Sequence, residues 1–106
     1  MFDKLKVDTT EIHHLANLLD DAGIPYEMKE WLGGLQIAYP TYGEDFVCSI
    51  IQNYASYGGR NGYLEIMGLL TEEEAEYDEV KGWLPAVEVF NRINTHWNTY
   101  YSTRSD

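Results

Sequence analysis

Cysteine, basic residues and long apolar runs are all scarce in this chain of 106 residues. The single cysteine, Cys48, excludes an intramolecular disulfide. No apolar run approaches the roughly 18–20 residues of a membrane-spanning helix. Residues 1–7 form a short segment of mixed charge, so a signal peptide is not expected. These absences predict a cytosolic protein with one domain over 1–106 and no membrane partner.

The chain has seven Lys and Arg and eighteen Asp and Glu, which gives a formal charge of −11. So few bases cannot form the footprint that releases counterions from DNA or RNA, and direct nucleic-acid binding is not expected. A surface this negative repels anionic membranes and attracts basic proteins. The acids are concentrated in one segment without a base: Glu72, Glu73, Glu74, Glu76, Asp78 and Glu79.

The acidic segment has two interpretations. It is either a solvated stretch that keeps the protein soluble, or a surface that competes for a cationic groove on a partner. In the second case carboxylates imitate the spacing of phosphates, and binding would be fast and sensitive to salt. Nine Tyr, three Trp and three Phe could fill the core or add contact area to such a surface. The candidate partner-binding residues are the six acids with Trp31, Tyr39, Tyr42 and Tyr57.

The hydrophobic pattern predicts a helix followed by a hairpin. Residues 9–22 have apolar positions at helical spacing, with Asp8 as cap and Glu11 placed to complete a capping box. Residues 26–32 and 35–39 then flank Gly33-Gly34, which can adopt the positive φ angles of a tight turn. Leu35, Ile37 and Tyr39 share one face of the second run.

The rest of the chain predicts more strands and a final helix. Residues 46–53 favour a central strand that buries the Cys48 thiol, although a short apolar run also permits a helix. Residues 63–68 favour a fourth strand over a short helical turn, and a capping box at Thr71–Glu74 and an extended segment over 78–84 follow. Pro85 suits the start of a last helix, with a frayed tail over 98–106. We therefore expect a two-layer α+β domain, with an antiparallel sheet of three to four strands and both terminal helices packed on one face.

Residue patterns for chemistry are weak. Cys48 and the serines lack the setting of a catalytic nucleophile, and the glycine-rich segment 58–62 lacks the ending of a phosphate loop. His13 and His14 point about 100° apart on a helix. The sequence thus predicts no enzyme, no catalytic residue and no cofactor. A metal site built from His13 or His14 with Cys48, His96 or Asp20 remains an alternative, although no zinc spacing is present.

Four segments carry a resemblance: 56–58, 64–71, 80–84 and 89–93. Together they resemble small acidic proteins encoded by phages and prophages of Gram-positive bacteria. Trp83 stands where the resemblance implies a smaller aromatic residue, and Pro85-Ala86 stand where it implies a more polar helix start. Phage proteins of this size and charge are similar to anti-defence factors, including anti-CRISPR proteins, which bind a host nuclease complex stoichiometrically. The resemblance assigns no catalytic or binding residue.

The leading hypothesis is a non-enzymatic inhibitor in the host cytosol that binds a basic host protein. The resemblance makes the Cas nuclease of a CRISPR effector the first candidate partner. One alternative is a phage accessory or assembly protein that acts as a homo-oligomer through its exposed sheet face. Another is a small metal-binding protein.

Overall fold

A five-stranded antiparallel sheet forms the frame of residues 6–101, which the computed structural model describes. The strands follow one another in chain order as a meander. The predicted α+β class is confirmed, but the predicted count of three to four strands is wrong, because residues 80–84 also pair into the sheet. The elements are α1 (Thr10–Asp21), β1 (Glu27–Trp31), β2 (Gly34–Tyr39), β3 (Cys48–Gln52), β4 (Leu64–Met67), α2 (Glu72–Tyr77), β5 (Val80–Leu84) and α3 (Ala86–Tyr100).

The first hairpin turns one residue earlier than the glycine pair suggests. Leu32 and Gly33 both have positive φ, at 49° and 76°, and Trp31 pairs with Gly34 across the turn. Gly34 therefore belongs to β2. A Cβ there would lie 1.9 Å from the carbonyl oxygen of Gln52 on the neighbouring strand β3. The second glycine is needed for close strand approach and the first for the turn.

One face of the sheet carries the core. The register places Ile37 beside Ile50 and Ile50 beside Ile66, and all three side chains are fully buried. Helices α1 and α3 contact each other, α1 contacts β2 and β3, and α3 contacts β4. Their apolar stripes share one core cluster with the sheet: Ile12, Leu15 and Leu19 from α1, with Val89 and Ile93 from α3.

Side chains from neighbouring elements hold the starts of α1 and α3. The buried Gln52 side chain accepts from the Ile12 N–H at 3.0 Å, and Glu11 accepts from the Ala86 N–H at 2.7 Å. The predicted capping box at Asp8–Glu11 is therefore wrong, because the Glu11 carboxylate accepts a hydrogen bond from the start of α3 and not from the start of its own helix. Asp8 instead accepts from the Thr10 N–H at 2.8 Å. The hydrogen bonds of Gln52 and Glu11 thus connect the start of α1 to β3 and the start of α3 to α1.

The end of the described chain is helical. Residues 98–100, which the sequence places in a frayed tail, belong to α3, and 102–106 lie outside the described residues. Within 6–101, no helix combines the length and apolarity needed to cross a bilayer.

The Cys48 thiol is fully buried, as the sequence predicts, and burial raises its pKa from 9.0 to about 12. We expect alkylation of the native protein near pH 8 to be at least about a hundredfold slower than alkylation of the denatured chain, because little thiolate forms and access is blocked. Timed iodoacetamide labelling with mass spectrometry measures both rates. Equal rates would show that the β3 thiol is accessible in the native fold.

Candidate protein-binding surface

The acidic segment folds as α2, a helix of six residues. Thr71 Oγ1 accepts from the Glu74 N–H at 3.1 Å, and Glu74 Oε1 accepts from the Thr71 N–H at 3.0 Å. The predicted capping box at these positions is confirmed. Acids in the first turn also interact favourably with the helix dipole. A helix this short is unstable alone, so its position depends on further contacts.

Arg92 of α3 supplies the main anchor. Its guanidinium donates to both carboxylate oxygens of Glu74, at 2.7 and 2.8 Å, and to Glu88 at 3.0 Å. It also donates to the Leu69 carbonyl at 3.1 Å. Hydrogen bonds from Arg92 lower the Glu74 pKa to about 2. Glu74, which the sequence places among the partner-binding acids, is thus engaged inside the molecule and holds α2 against α3.

We expect Arg92→Gln to reduce the free energy of unfolding by about 1–2 kcal/mol near neutral pH, because a bidentate, partly buried pair is lost. The Glu74 pKa in the fold, about 2, lies below its ordinary 4.5. Stabilisation by the pair is therefore complete above about pH 4.5 and is lost as pH falls towards 2.

Urea unfolding at several pH values measures this contribution. The wild type should lose more stability than Arg92→Gln between about pH 5 and about pH 3. Parallel curves for the two proteins would contradict the assigned role of the Glu74–Arg92 pair.

The other acids of the segment are free. Glu72, Glu73, Glu76, Asp78 and Glu79, named here the α2 acids, are exposed and form no ion pair with any residue in 6–101. Among the side chains of these five acids, only that of Asp78 accepts a hydrogen bond from a residue in 6–101, from the Glu79 N–H at 2.7 Å. Five uncompensated carboxylates thus lie on one short segment that Arg92 holds in place.

Aromatic rings lie beside these acids. A groove of about 380 Å³ separates α2 from β5. Tyr77 is 86% exposed, and Tyr57 and Trp83 are each 56% exposed. Rings exposed to this degree offer large contact areas with polar tips. The α2–β5 groove is lined by Tyr57, Glu73, Glu74, Tyr77, Asp78, Val80, Lys81, Gly82 and Trp83.

Backbone contacts set the position of two of the rings. The Tyr57 carbonyl accepts from the Trp83 N–H at 3.2 Å, and the Tyr57 N–H donates to Glu65 at 2.9 Å. Gly82 has to lack a side chain, since a Cβ would lie 2.2 Å from the Cβ of Tyr57. Tyr57, predicted from the sequence as a contact residue, therefore lies next to the acidic segment.

Tyr77 and Trp83 are surface residues that sequence reasoning did not select. A signal existed only for Tyr77, which lies inside the acidic segment. Trp83 has a left-handed backbone with φ 59°, where the register of β4 and β5 shifts. A bulge of this type re-aims a side chain, here towards solvent.

Two other predicted aromatic residues lie elsewhere. Trp31 is 43% exposed and belongs to β1, at the edge of the sheet opposite β5. The Tyr42 ring lies under the Lys29 ammonium, 4.6 Å from the ring centre, and its hydroxyl donates to the Gln36 carbonyl at 3.2 Å. Neither ring lines the groove between α2 and β5.

Tyr39 requires a correction as a contact residue. Its side chain has no exposed area, because β2 turns that face towards the helices. The hydroxyl lies 2.8 Å from His96 Nδ1, and burial raises the Tyr39 pKa well above its ordinary value. Tyr39 is therefore a core residue that links β2 to α3.

The remaining candidates for chemistry are dispersed. Within residues 6–101 no three His, Cys, Asp or Glu side chains come close enough to hold a metal ion. The His13 ring bonds to the Thr9 carbonyl at 2.9 Å, on the exposed side of α1. A second groove, of about 680 Å³, runs along α3 past His96, but its Arg92 is already engaged by Glu74 and Glu88.

Comparisons with protein-family models, with curated proteins and with solved structures found no match. The fold and the surface together define an acidic α+β domain with an aromatic groove beside free carboxylates.

Proposed function

We propose that this protein is a non-enzymatic inhibitor that binds the basic surface of a nucleic-acid-binding protein. The observation that carries the proposal is the juxtaposition of the α2 acids with the exposed rings of the α2–β5 groove. Carboxylates attract a cationic partner over a distance, and aromatic rings supply contact area after docking.

Rigid attachment of the acids supports the proposal. The capping box and Arg92 hold α2 in one position, so less conformational entropy is lost when the acids meet a partner. A solvated acidic loop would serve solubility equally well without such an anchor. The anchor therefore favours a surface with a defined shape.

A CRISPR effector nuclease is the first partner to test. The sequence resemblance points to anti-defence proteins, and the channel of such effectors is positively charged to hold nucleic acid. An anionic domain that occupies part of this channel excludes the target strand. No catalytic group is needed for this effect, since inhibition follows from occupancy.

The test is capture of a guide-loaded Cas nuclease on the immobilised protein, with a DNA-cleavage assay in parallel. We expect stoichiometric inhibition and capture that weakens as salt rises from about 50 mM to about 500 mM. Absence of both capture and inhibition at low salt would refute a Cas target. If, in addition, no basic nucleic-acid-binding protein is captured from host lysate, the wider proposal is refuted.

A homo-oligomer is the second candidate function. The sheet face opposite the core exposes apolar side chains, with Met67 at 46% and Trp31 at 43%. Light scattering separates the two candidates. A stable dimer or ring that persists at high salt supports assembly through this face, whereas a monomer at all salt concentrations removes it.

A further inference from the structure

The α2–β5 groove combines aromatic rings with carboxylates in one small space. Tyr57, Tyr77 and Trp83 line it together with Glu73 and Asp78. Cations are attracted to the faces of aromatic rings, and carboxylates accept hydrogen bonds from them. This composition suits a cationic guest and disfavours an anionic one.

The side chains that line the groove carry an excess of negative charge, which favours a cationic guest. Lys81 also lines the groove, and its charge acts on Glu74, which Arg92 already binds. Arg92 forms ion pairs with Glu74 and Glu88. The groove lining then has the carboxylates of Glu73 and Asp78 against the single cation of Lys81, so a guest with one positive charge completes the balance.

Trp83 gives the groove a stable wall. Its indole packs against the Tyr63 ring at a centroid distance of 5.6 Å. It also packs closely on Gly58, where an added Cβ would lie 3.0 Å from the indole. More than half of the side chain nevertheless remains exposed, at 56%. Left-handed backbone is unfavourable for a residue of this size, so the fold bears a cost to present the ring here.

We infer that this groove accepts the side chain of an arginine residue from the partner, a step that deepens the proposed function and rests on it. The planar guanidinium stacks on an exposed ring and donates to the carboxylate of Glu73 or Asp78. Arginine is favoured over lysine, because the ammonium is compact and strongly hydrated and cannot stack as a plane. An apolar guest would leave the carboxylates without water or partner.

The test uses blocked tripeptides of the type Gly-Arg-Gly, with lysine and citrulline at the central position for comparison. Citrulline keeps the planar shape without the charge. NMR follows the indole N–H signal of Trp83, one of three Trp in the chain, assigned with Trp83→Phe. We expect the arginine peptide to bind at least about tenfold more tightly than the lysine peptide, and the citrulline peptide more weakly still.

Exposed groove residues supply variants that keep the fold. Tyr77→Ala and Glu73→Gln should each reduce binding of the arginine peptide by at least about fivefold. Tyr54→Ala and Glu44→Gln are the matched controls, because both residues are exposed and neither lines the groove. These controls should bind as the wild type does.

Equal affinity for the arginine and lysine peptides would overturn the inference, and so would signal changes outside the groove. The two proposals fail separately. If basic partners are captured but arginine is not preferred, the arginine site is wrong and the wider function stands. If the arginine peptide binds the groove but no partner is captured, the proposed inhibitor function fails alone.

Discussion

Gly34→Ala is expected to cost at least about 3 kcal/mol of unfolding free energy, a large part of the stability of a domain this size. The added Cβ would lie 1.9 Å from the Gln52 carbonyl oxygen and 2.7 Å from the Asn53 Cα. These atoms belong to the backbone of β3 and the residue that follows it, so no side-chain rotation relieves the clash. The β2–β3 pair, at the centre of the sheet, would have to separate.

Gly43→Ala is the matched control for that substitution. An added Cβ at Gly43 would meet atoms of Thr41 no closer than 3.8 Å. Its effect should stay within about 0.5 kcal/mol. Urea unfolding followed by circular dichroism compares the two variants. Equal stability of Gly34→Ala and Gly43→Ala would contradict the close β2–β3 approach.

Neutralising the α2 acids together is expected to weaken binding to a cationic partner by about 50- to 100-fold at low salt. The probe is a fluorescently labelled arginine-rich peptide, which carries the charge of the expected partner surface. The substitutions Glu72→Gln, Glu73→Gln, Glu76→Gln, Asp78→Asn and Glu79→Gln leave Glu74 and its pair with Arg92 intact. Loss of affinity then reports the surface and not the detachment of α2.

The control variant changes the same number of acids elsewhere. Its amide substitutions fall on exposed acids outside the segment, at Asp20, Asp21, Glu30, Glu44 and Asp45. Both variants raise the formal charge from −11 to −6. Fluorescence anisotropy should find near-wild-type affinity for the control. Equal losses in the two variants would mean that net charge, and not the position of the acids, governs binding.

Local patterns predicted the elements with strong periodicity. The apolar positions of α1 recur every three or four residues, and the helix at Thr10–Asp21 lies within the predicted 9–22. The central position of the third strand was also predicted and is confirmed. β5 was predicted only as an extended segment. Gly82 and the left-handed Trp83 interrupt the alternation of apolar and polar residues along it, and α2 separates it in sequence from its partner strand β4.

The candidate surface was predicted in part. Its acids are a local feature of the sequence, but the engagement of Glu74 depends on Arg92, which is 18 positions away. Tyr39 could have been excluded, since it alternates with Leu35 and Ile37 on the face that became the core. Trp83 could not be selected from the sequence, because its exposure depends on a bulge that no local pattern announces.

Binding through the α2 acids and the α2–β5 groove is tested most directly by an amide NMR map of the labelled protein, titrated with the same arginine-rich peptide at low salt. We expect the largest shifts in 72–79, in β5 and around Tyr57, with little change in β1 or at Trp31. Shifts spread evenly over the acids of 6–101, or centred on the open face of the sheet, would contradict binding through this surface.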